Sequence, residues 1–353
     1  MIALALVAAS LSGRFEFREI HMGVQVRIVL HAEDASRAAA AARVAFDRVR
    51  AWDDALSDWR TDTPAQRLPD RAGVSQHVEG RLRDALDASW RLAQVTRGGF
   101  EAGLGSITRL WREARRSGAM PNDAALSQAV ACAGRNAWLW REDTSTFTAQ
   151  RDGVRMDFGG IGQGLAADDA LAALRELGMP QALVDVSGDI ALGAAPPGEA
   201  GWRIEVAPGV DGQAAETLLL HDVAISTSGD REQVKPVAGQ TVGHIVDPST
   251  GHPLPAPRQA TVIAKDATTA DAVATALCTL PIADALSVAE NATIAARIDR
   301  RVEDGGVHAT GAWKSIRRAS CDPAAGSSAP EAARPSPASP ASDPPGSPAR
   351  PST

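Results

Sequence analysis

A carboxylate and a hydroxyl four residues apart, Asp271 and Thr275, form a pair in this 353-residue sequence that could bind a metal ion. Residues 268–280 have the apolar spacing of a helix, and positions i and i+4 of a helix share one face. Mg²⁺ prefers oxygen ligands of this kind and often accompanies phosphate groups. Thr268 and Asp271 also fit a capping box, in which the carboxylate lies near the positive end of the helix. Taken alone, the spacing favours the cap over the metal.

Residues 224–255 contain many small hydroxyl residues and glycines but few large apolar side chains. Within this stretch Thr227, Ser228 and Gly229, followed by an aspartate, predict a turn where hydroxyls and a free backbone N–H converge. A segment that only filled a hydrophobic core would not have this composition, so a binding loop is one interpretation. An ordinary strand and turn is the other.

Polar and apolar residues alternate over positions 244–247 of the same stretch. This alternation predicts a half-buried strand that presents His244 on one face. Asp247 and the Pro-Ser-Thr-Gly run after it predict the turn that ends the strand. His244 is therefore a candidate functional side chain, and a histidine that only bonds its own turn is the alternative.

Residues 156–168 predict a strand that enters a glycine-rich loop, followed by a helix. Asp157 precedes the loop and Gly162 lies within it. Glycines in such a loop allow backbone N–H groups to approach an anion at the helix start. The spacing matches neither GxGxxG nor a Walker loop, so neither a nicotinamide-binding fold nor a P-loop is indicated. A tight strand-to-helix turn is the alternative.

Strands and helices alternate irregularly along the rest of the chain and must position these residues. Helices are predicted at 35–56, 78–96, 121–132, from the glycine loop to 177, at 268–280 and at 283–289, and residues 100–116 predict a loop followed by a helix. Strands are predicted at 15–30 with an interruption at 21–23, and at 137–140, 146–149, 202–207, 218–226, 260–264 and 292–301. Residues 182–193 predict two strands separated by a turn at 187–189. Trp59 lies in a polar loop after the first helix, where an aromatic ring either stacks on a ligand or covers the core.

Composition limits the class of protein. The chain is 44% hydrophobic, which predicts a globular fold, and its net charge of −7 argues against a nucleic-acid partner. Its three cysteines, Cys132, Cys278 and Cys321, lie far apart, so neither a zinc site nor a disulfide framework is indicated. Residues 1–13 resemble the apolar part of a secretory signal, without a following lipid-attachment cysteine, and residues 319–353 predict a disordered Pro/Ala/Ser-rich tail.

Taken together, these motifs resemble the FAD:protein FMN transferases, the ApbE-type flavin transferases, over nearly all of the chain between its two ends. The motifs that carry the resemblance occur in this order: Met22-Gly23, Leu56-Ser57-x-Trp59-Arg60, Gly99-Phe100, Met156-Asp157-Phe158-Gly159-Gly160-Ile161-Gly162-Gln163-Gly164, Val186-Ser187-Gly188-Asp189, Thr227-Ser228-Gly229-Asp230, His244-x-x-Asp247-Pro248-x-Thr250-Gly251 and Ala270-Asp271-Ala272-x-x-Thr275-Ala276.

The resemblance implies a single α+β domain, T-fold-like and spanning 14–318, with mixed, largely antiparallel sheets and flanking helices. It also implies a reaction. With Mg²⁺, the FMN half of FAD moves onto a Thr or Ser hydroxyl of an acceptor flavoprotein, and AMP is released. FAD is then a substrate. The apolar N-terminal run predicts a periplasmic or exported protein, with the cytoplasm as the alternative, and it is too short to be a transmembrane span.

Residue roles follow from the same resemblance. Asp271 and Thr275 would be Mg²⁺ ligands together with a backbone carbonyl near Gly162, which reverses the preference for the cap. His244 would accept the proton of the acceptor hydroxyl, because histidine exchanges protons near neutral pH. The expected flavin and nucleotide contacts come from these residues: Met22, Trp59, Asp157, Gly162, Asp189, Thr227, Ser228, Gly229 and Asp247.

Three positions depart from the family pattern. Val24 stands where the family has a threonine, Gln163 where a charged residue is common, and Pro69 where an asparagine is common. A periplasmic FAD carrier that has lost transferase activity is therefore an alternative function. A third candidate function is that of an oxidoreductase that retains its flavin as a redox cofactor. Reduction of the bound flavin by NADH or NADPH would support it.

Overall fold

An eight-stranded antiparallel sheet forms the centre of the computed structural model, which describes residues 12–209, 214–229, 235–254, 258–300 and 306–319. Within these ranges the strands are β1 (Gly13–His21), β2 (Val24–Ala32), β3 (Ser75–His77), β4 (Trp138–Arg141), β5 (Thr146–Ala149), β6 (Ala182–Val186), β7 (Asp189–Leu192), β8 (Trp202–Val206), β9 (Glu216–Leu220), β10 (Ala224–Gly229), β11 (Lys235–Val237), β12 (Gln240–Val242), β13 (Arg258–Ala264), β14 (Ala295–Arg300) and β15 (Val307–Ala309). The helices are α1 (Ala35–Leu56), α2 (Gly80–Val95), α3 (Gly105–Ser117), α4 (Asp123–Ala131), α5 (Gly162–Glu176), α6 (Ala267–Thr279), α7 (Ile282–Asn291) and α8 (Gly311–Lys314).

The large sheet has the order β1-β2-β6-β7-β10-β13-β14-β15. Its first hairpin pairs Gly13 with Ala32 at one end and His21 with Val24 at the other. Met22 and Gly23 form the connecting turn with positive φ angles of 53° and 72°, a backbone conformation typical of two-residue hairpin turns. The expected α+β fold with a largely antiparallel sheet is confirmed.

Three helices, α1, α5 and α6, pack together on one face of this sheet. Alternate β2 residues such as Val26 and Ile28 are fully buried in the same core as these helices, as the period of two in a strand requires. Helix α1 begins at the predicted residue because the Asp34 side chain accepts a hydrogen bond from the backbone N–H of Arg37, at 2.8 Å. This layer positions the starts of α5 and α6 side by side.

The opposite face of the sheet is covered by the β8–β9 hairpin. Trp202, Ile204 and Leu218 from the hairpin are buried in a second apolar cluster with Leu183 and Ile190 from the sheet. Trp313 of α8 belongs to the same cluster. The sheet is therefore buried on both faces.

A third apolar cluster joins α3 and α4 to the small β11–β12 hairpin. It contains Ile107 and Trp111 from α3 together with Val237, Val242 and Val246. Because the segment around position 244 follows β12, this cluster determines where that segment lies.

Several sequence-based expectations about local structure are wrong. Thr227, Ser228 and Gly229 continue β10 because each pairs with a residue of β13. Residues 244–247 form no strand, only an isolated bridge between Val246 and Pro253. Residues 155–158 are irregular rather than a strand, and the predicted strand 218–226 is divided between β9 and β10.

Some predictions concern residues outside the described ranges. Residues 1–11 of the predicted signal segment, Asp230, Cys321 and the tail from position 320 are among them. The domain boundaries at 14 and 318 remain predictions. Among the described residues, no helix combines the length and apolarity needed to cross a lipid bilayer.

Candidate functional site

The starts of α5 and α6 are held together by Asp168. Its two carboxylate oxygens accept hydrogen bonds from the backbone N–H groups of Ala267 at 2.8 Å and Thr268 at 2.9 Å, and from the Thr268 hydroxyl at 2.6 Å. The N-cap of α6 is Asp266, which accepts from the N–H of Thr269 at 2.7 Å. The capping-box interpretation of Thr268 and Asp271 is therefore wrong, since other carboxylates occupy that role.

Asp271 instead points across to α5. It is only 4% exposed, and its Oδ2 accepts a hydrogen bond from the backbone N–H of Gly164 at 3.2 Å. Burial raises the pKa of Asp271 well above its usual value, and the nearby carboxylates of Asp189 and Asp168 raise it further. A buried carboxyl group surrounded by other acids is a favourable environment for a cation.

Thr275 lies one turn after Asp271 and faces the same region. Its Oγ1 and the Oγ of Ser228 are hydrogen-bonded at 3.2 Å. A Cβ on Gly160 would lie 3.0 Å from the same Thr275 oxygen, so the glycine loop passes directly over this hydroxyl. The structure thus brings the end of β10, α6 and the glycine loop together.

The neighbouring sheet residues are also polar. Asp189, at the start of β7, accepts a hydrogen bond from the Ser226 hydroxyl at 2.5 Å. Burial raises the pKa of Asp189 to about 7, with further contributions from Asp185 and Asp168. The hydroxyls of Thr227 and Thr261 are 2.9 Å apart on the adjacent strands β10 and β13.

This set of donors fits a hard cation. Within the described residues no group of three or more His, Cys, Asp or Glu side chains surrounds a possible metal position. A cation would therefore depend on Asp271 together with hydroxyl and backbone carbonyl oxygens, which are the ligands that Mg²⁺ accepts. The buried, mutually repelling carboxyl groups would lose much of their electrostatic cost beside such a charge.

Met22 lies against the start of α5. Its backbone N–H donates to Asp53 Oδ2 of α1 at 3.1 Å, which fixes the hairpin turn to that helix. The Met22 methyl group lies 3.5 Å from the position that a Cβ on Gly162 would occupy. Met22 and Gly162, both predicted site residues, are therefore in contact distance of one another.

Arg112 of α3 contacts two further predicted site residues, Trp59 and Asp157. Its guanidinium forms an ion pair with Asp58, donates to Asp157 Oδ2 at 2.8 Å, and lies over the Trp59 ring with 5.2 Å to the centroid. Burial raises the pKa of Asp157, but the charge of Arg112 and hydrogen bonds hold it below its ordinary value overall. For Asp58 the outcome is the reverse, because burial and the charge of Asp157 raise its pKa above the ordinary value.

The segment that carries His244 and Asp247 is attached mainly to α3. Arg115 donates to the Gly243 carbonyl at 3.1 Å, and the Trp111 indole donates to the Gly251 carbonyl at 2.8 Å. Asp247 accepts from the N–H and the hydroxyl of Ser249, at 2.7 Å and 2.6 Å. The predicted turn after Asp247 is therefore confirmed, whereas the role of His244 as the group that accepts the acceptor hydroxyl's proton stays a prediction.

A cavity of about 550 Å³ opens beside this turn. It is lined by residues that include Arg97, Asp247, Arg258, Cys278, Leu280 and Arg300. The Cys278 thiol lies 3.4 Å from the Ser228 carbonyl oxygen, so the cavity adjoins the hydroxyl pair of β10 and α6. Gly229 packs closely against β13, because a Cβ at this position would lie 2.8 Å from the Arg258 carbonyl oxygen.

Sequence reasoning missed two residues of this region. Asp168 was visible only as one acid on a predicted helix, and its partners lie about a hundred positions away. Arg112 lies on a helix with several other basic residues, so only the fold distinguishes it from them.

Comparisons with known proteins identify relatives along most of the chain. A sequence model of the ApbE family matches residues 22–298. The FAD:protein FMN transferase of Treponema pallidum (strain Nichols) is 27% identical over 300 residues, covering 78% of this chain and 83% of the relative. The FAD:protein FMN transferase of Klebsiella pneumoniae (strain 342) is 26% identical over 248 residues, covering 68% and 74%.

Solved structures of ApbE proteins have the same fold as this chain. The apo flavinyl transferase ApbE of Pseudomonas stutzeri superimposes with a TM-score of 0.71 at 26% identity, covering 86% of this chain and 97% of that one. The ApbE protein of Thermotoga maritima shares the fold with a TM-score of 0.77 at 24% identity, covering 87% of this chain and all of the other, 100%.

Proposed function

The chain belongs to the ApbE family and is a flavin transferase, and on this premise we propose that it transfers FMN from FAD to a Thr or Ser hydroxyl of an acceptor flavoprotein. The proposed reaction depends on Mg²⁺ and releases AMP. FAD is its substrate rather than a permanent redox group.

The main support for this proposal is that Asp271, Thr275 and Ser228 lie close together beside the glycine loop that begins α5. A pyrophosphate needs a cation on its oxygens and a positioned nucleophile, with little covalent work by the protein. Asp271 and Thr275, with a backbone carbonyl near Gly162, would hold the Mg²⁺, which supplies charge neutralisation of the phosphate oxygens. The buried acids favour the binding of a cation there.

In the proposed step the acceptor hydroxyl oxygen forms a bond to the phosphorus of the FMN half. The bond between that phosphorus and the bridging oxygen breaks, and AMP leaves with the bridging oxygen. The hydroxyl proton goes to His244, which acts as general base. FMN is then joined to the acceptor through a phosphoester, so atoms and charge balance without an oxidant or reductant.

The remaining site residues would bind and orient FAD. Trp59 and Met22 would contact the isoalloxazine ring, because an exposed indole and a thioether offer apolar, polarisable surface to a planar ligand. Polar contacts to the phosphates, ribose or adenine would come from the following residues: Asp157, Asp189, Thr227, Ser228, Gly229 and Asp247.

The direct test is to incubate the purified protein with FAD, Mg²⁺ and a synthetic peptide containing an Asp-Gly-x-Thr sequence. We expect a peptide mass gain equal to FMN and an equal amount of AMP, both abolished by EDTA. Tight FAD binding without AMP release or mass gain would contradict the proposal and support the carrier alternative. In that case Val24, Gln163 and Pro69 are the positions to revert.

A further inference from the structure

Arg112 joins two loops that are distant in sequence. One of its guanidinium nitrogens pairs with Asp58, in the loop after α1, and the other donates to Asp157 at 2.8 Å, at the entrance to the glycine loop. Asp157 in turn accepts from the N–H of Gly159 at 2.8 Å, so its carboxylate also shapes the loop itself. One planar cation therefore fixes both segments at once.

The same guanidinium covers one face of Trp59. It lies 5.2 Å from the centre of the ring, within the range of a favourable cation–π contact. Trp59 is 53% exposed, whereas Trp111 of α3, the helix that carries Arg112, is 3% exposed. The indole is thus held on one side by protein and offered to solvent on the remainder.

This arrangement contributes little to the hydrophobic core. An indole that is half in solvent buries only part of its apolar surface, so fixing its orientation gives the fold little hydrophobic stabilisation. Asp58 and Asp157 are also like charges that repel, and their approach is favourable only with a cation between them. The contacts of Arg112 are better explained if it fixes the position of the Trp59 ring relative to the glycine loop.

We infer that Arg112 is a positioning residue for FAD: by bridging Asp58 and Asp157 and covering one face of Trp59, it holds the other face of the indole ready to stack on the isoalloxazine ring. The inference rests on the proposed function for the identity of the ligand. Lysine is not equivalent to Arg112, because its ammonium is a compact point charge and lacks the fixed, planar fork of N–H donors that reaches two carboxylates and covers an indole at the same time.

The first experiment examines the ring in the absence of FAD. In R112Q the Trp59 ring loses its cover, so acrylamide, a neutral quencher, should reduce tryptophan fluorescence more strongly than in the original chain. The matched control is R116Q, on the same helix, which removes an exposed arginine paired with Glu113. Unchanged quenching in R112Q would overturn the inference at its geometric step.

The second experiment measures FAD binding and transfer. We expect R112Q and R112K to raise both the Kd and the KM for FAD about tenfold, because the Trp59 ring is no longer held. The fall in kcat should be smaller than the rise in Kd, because Asp271 and Thr275 lie on α6 and do not depend on Arg112. R116Q should leave all three values unchanged. Adding millimolar methylguanidinium should partly restore FAD binding to R112Q, since it supplies the missing planar cation.

A double variant addresses the possibility that R112Q simply unfolds. D58N/R112Q removes the repulsion between Asp58 and Asp157 that the single variant leaves, so the loops should close again and the KM should fall part of the way back. Thermal unfolding of each variant reports its stability. Equal KM values in the original chain, R112Q and R112K would contradict the inference, as would a loss in R112Q that neither the double variant nor methylguanidinium reduces.

The outcomes separate this inference from the proposed function. If the original chain binds FAD but does not transfer FMN, the proposed reaction is wrong and the Kd values still decide the role of Arg112. If transfer occurs normally and R112Q keeps the same Kd, the function stands and the role of Arg112 is wrong. Failure of the original chain to bind FAD would overturn both.

Discussion

Asp271 on α6 accepts a hydrogen bond from the backbone N–H of Gly164 on α5, with 3.2 Å between its Oδ2 and the nitrogen. The carboxylate that is proposed to hold Mg²⁺ is thus oriented by the helix that begins in the glycine loop. Only glycine permits this approach, because a Cβ at position 164 would overlap the Ala267 carbonyl and lie 2.8 Å from Thr268 Cα. The proposed metal site and the packing of α5 on α6 therefore depend on the same contact.

Substituting Gly164 by alanine should therefore disturb both stability and the site. Because the added methyl group meets rigid backbone of α6, we expect a loss of about 1–3 kcal/mol in the free energy of unfolding. Urea denaturation measures it. Gly311→Ala is the matched control, since a Cβ there would meet nothing within 4 Å. Equal stabilities of the two variants would contradict the close packing.

The Asp189 carboxyl should make stability depend on pH. Burial raises its pKa from 3.8 to about 7 in the folded chain. The folded state therefore binds more protons between these values, and stability should fall as pH rises from about 4 to about 7 and level off above. Asp189→Asn removes this effect while retaining an acceptor for the Ser226 hydroxyl.

The measurement is urea unfolding of both proteins in EDTA at several pH values. The difference in the free energy of unfolding between Asp189→Asn and the original chain, in favour of the variant, should grow between pH 4 and pH 7 and stay constant above that range. Asp143→Asn, at an exposed position, controls for the removal of one negative charge. An advantage that is the same at pH 4 and pH 8 would show that the carboxyl group titrates normally.

Removal of the imidazole at position 244 should impair chemistry more than binding. If His244 accepts the hydroxyl proton, His244→Gln should lower kcat about 100-fold or more and leave the KM for FAD nearly unchanged. Steady-state AMP release with a saturating acceptor peptide measures both constants. His221→Gln, at an exposed position after β9, is the control. A kcat close to the original value would exclude His244 as the base.

The regular elements were predictable where local pattern dominates. Helix α1 matches its predicted bounds because an amphipathic run follows an Asp34 cap, and the spacing of Asp271 and Thr275 on one helix face was correct. β10 was misjudged at its end because polar residues with turn propensity remain extended when they pair with β13. At these residues the hydrogen bonds to β13 outweigh the local preference for a turn.

The least predictable parts of the site depend on residues far apart in the chain. Asp168 satisfies the first N–H groups of a helix about a hundred residues later, and Arg112 reaches Asp58 and Asp157, which lie 54 and 45 positions away. No periodicity in one sequence encodes such partners. The β11–β12 hairpin was also missed, because its strands have only three residues each.

If FMN transfer occurs at Asp271 and Thr275, it requires the charge of the Asp271 carboxylate, which Asp271→Asn removes. Asparagine can still accept from the Gly164 N–H, so the fold should persist, but the negative charge for Mg²⁺ is gone. With FAD, Mg²⁺ and the acceptor peptide, we expect AMP release and the FMN mass gain to fall together, about 100-fold or more, while FAD still binds. Asp284→Asn, exposed on α7, should retain full activity. Undiminished, EDTA-sensitive transfer by Asp271→Asn would show that Asp271 does not hold the metal ion.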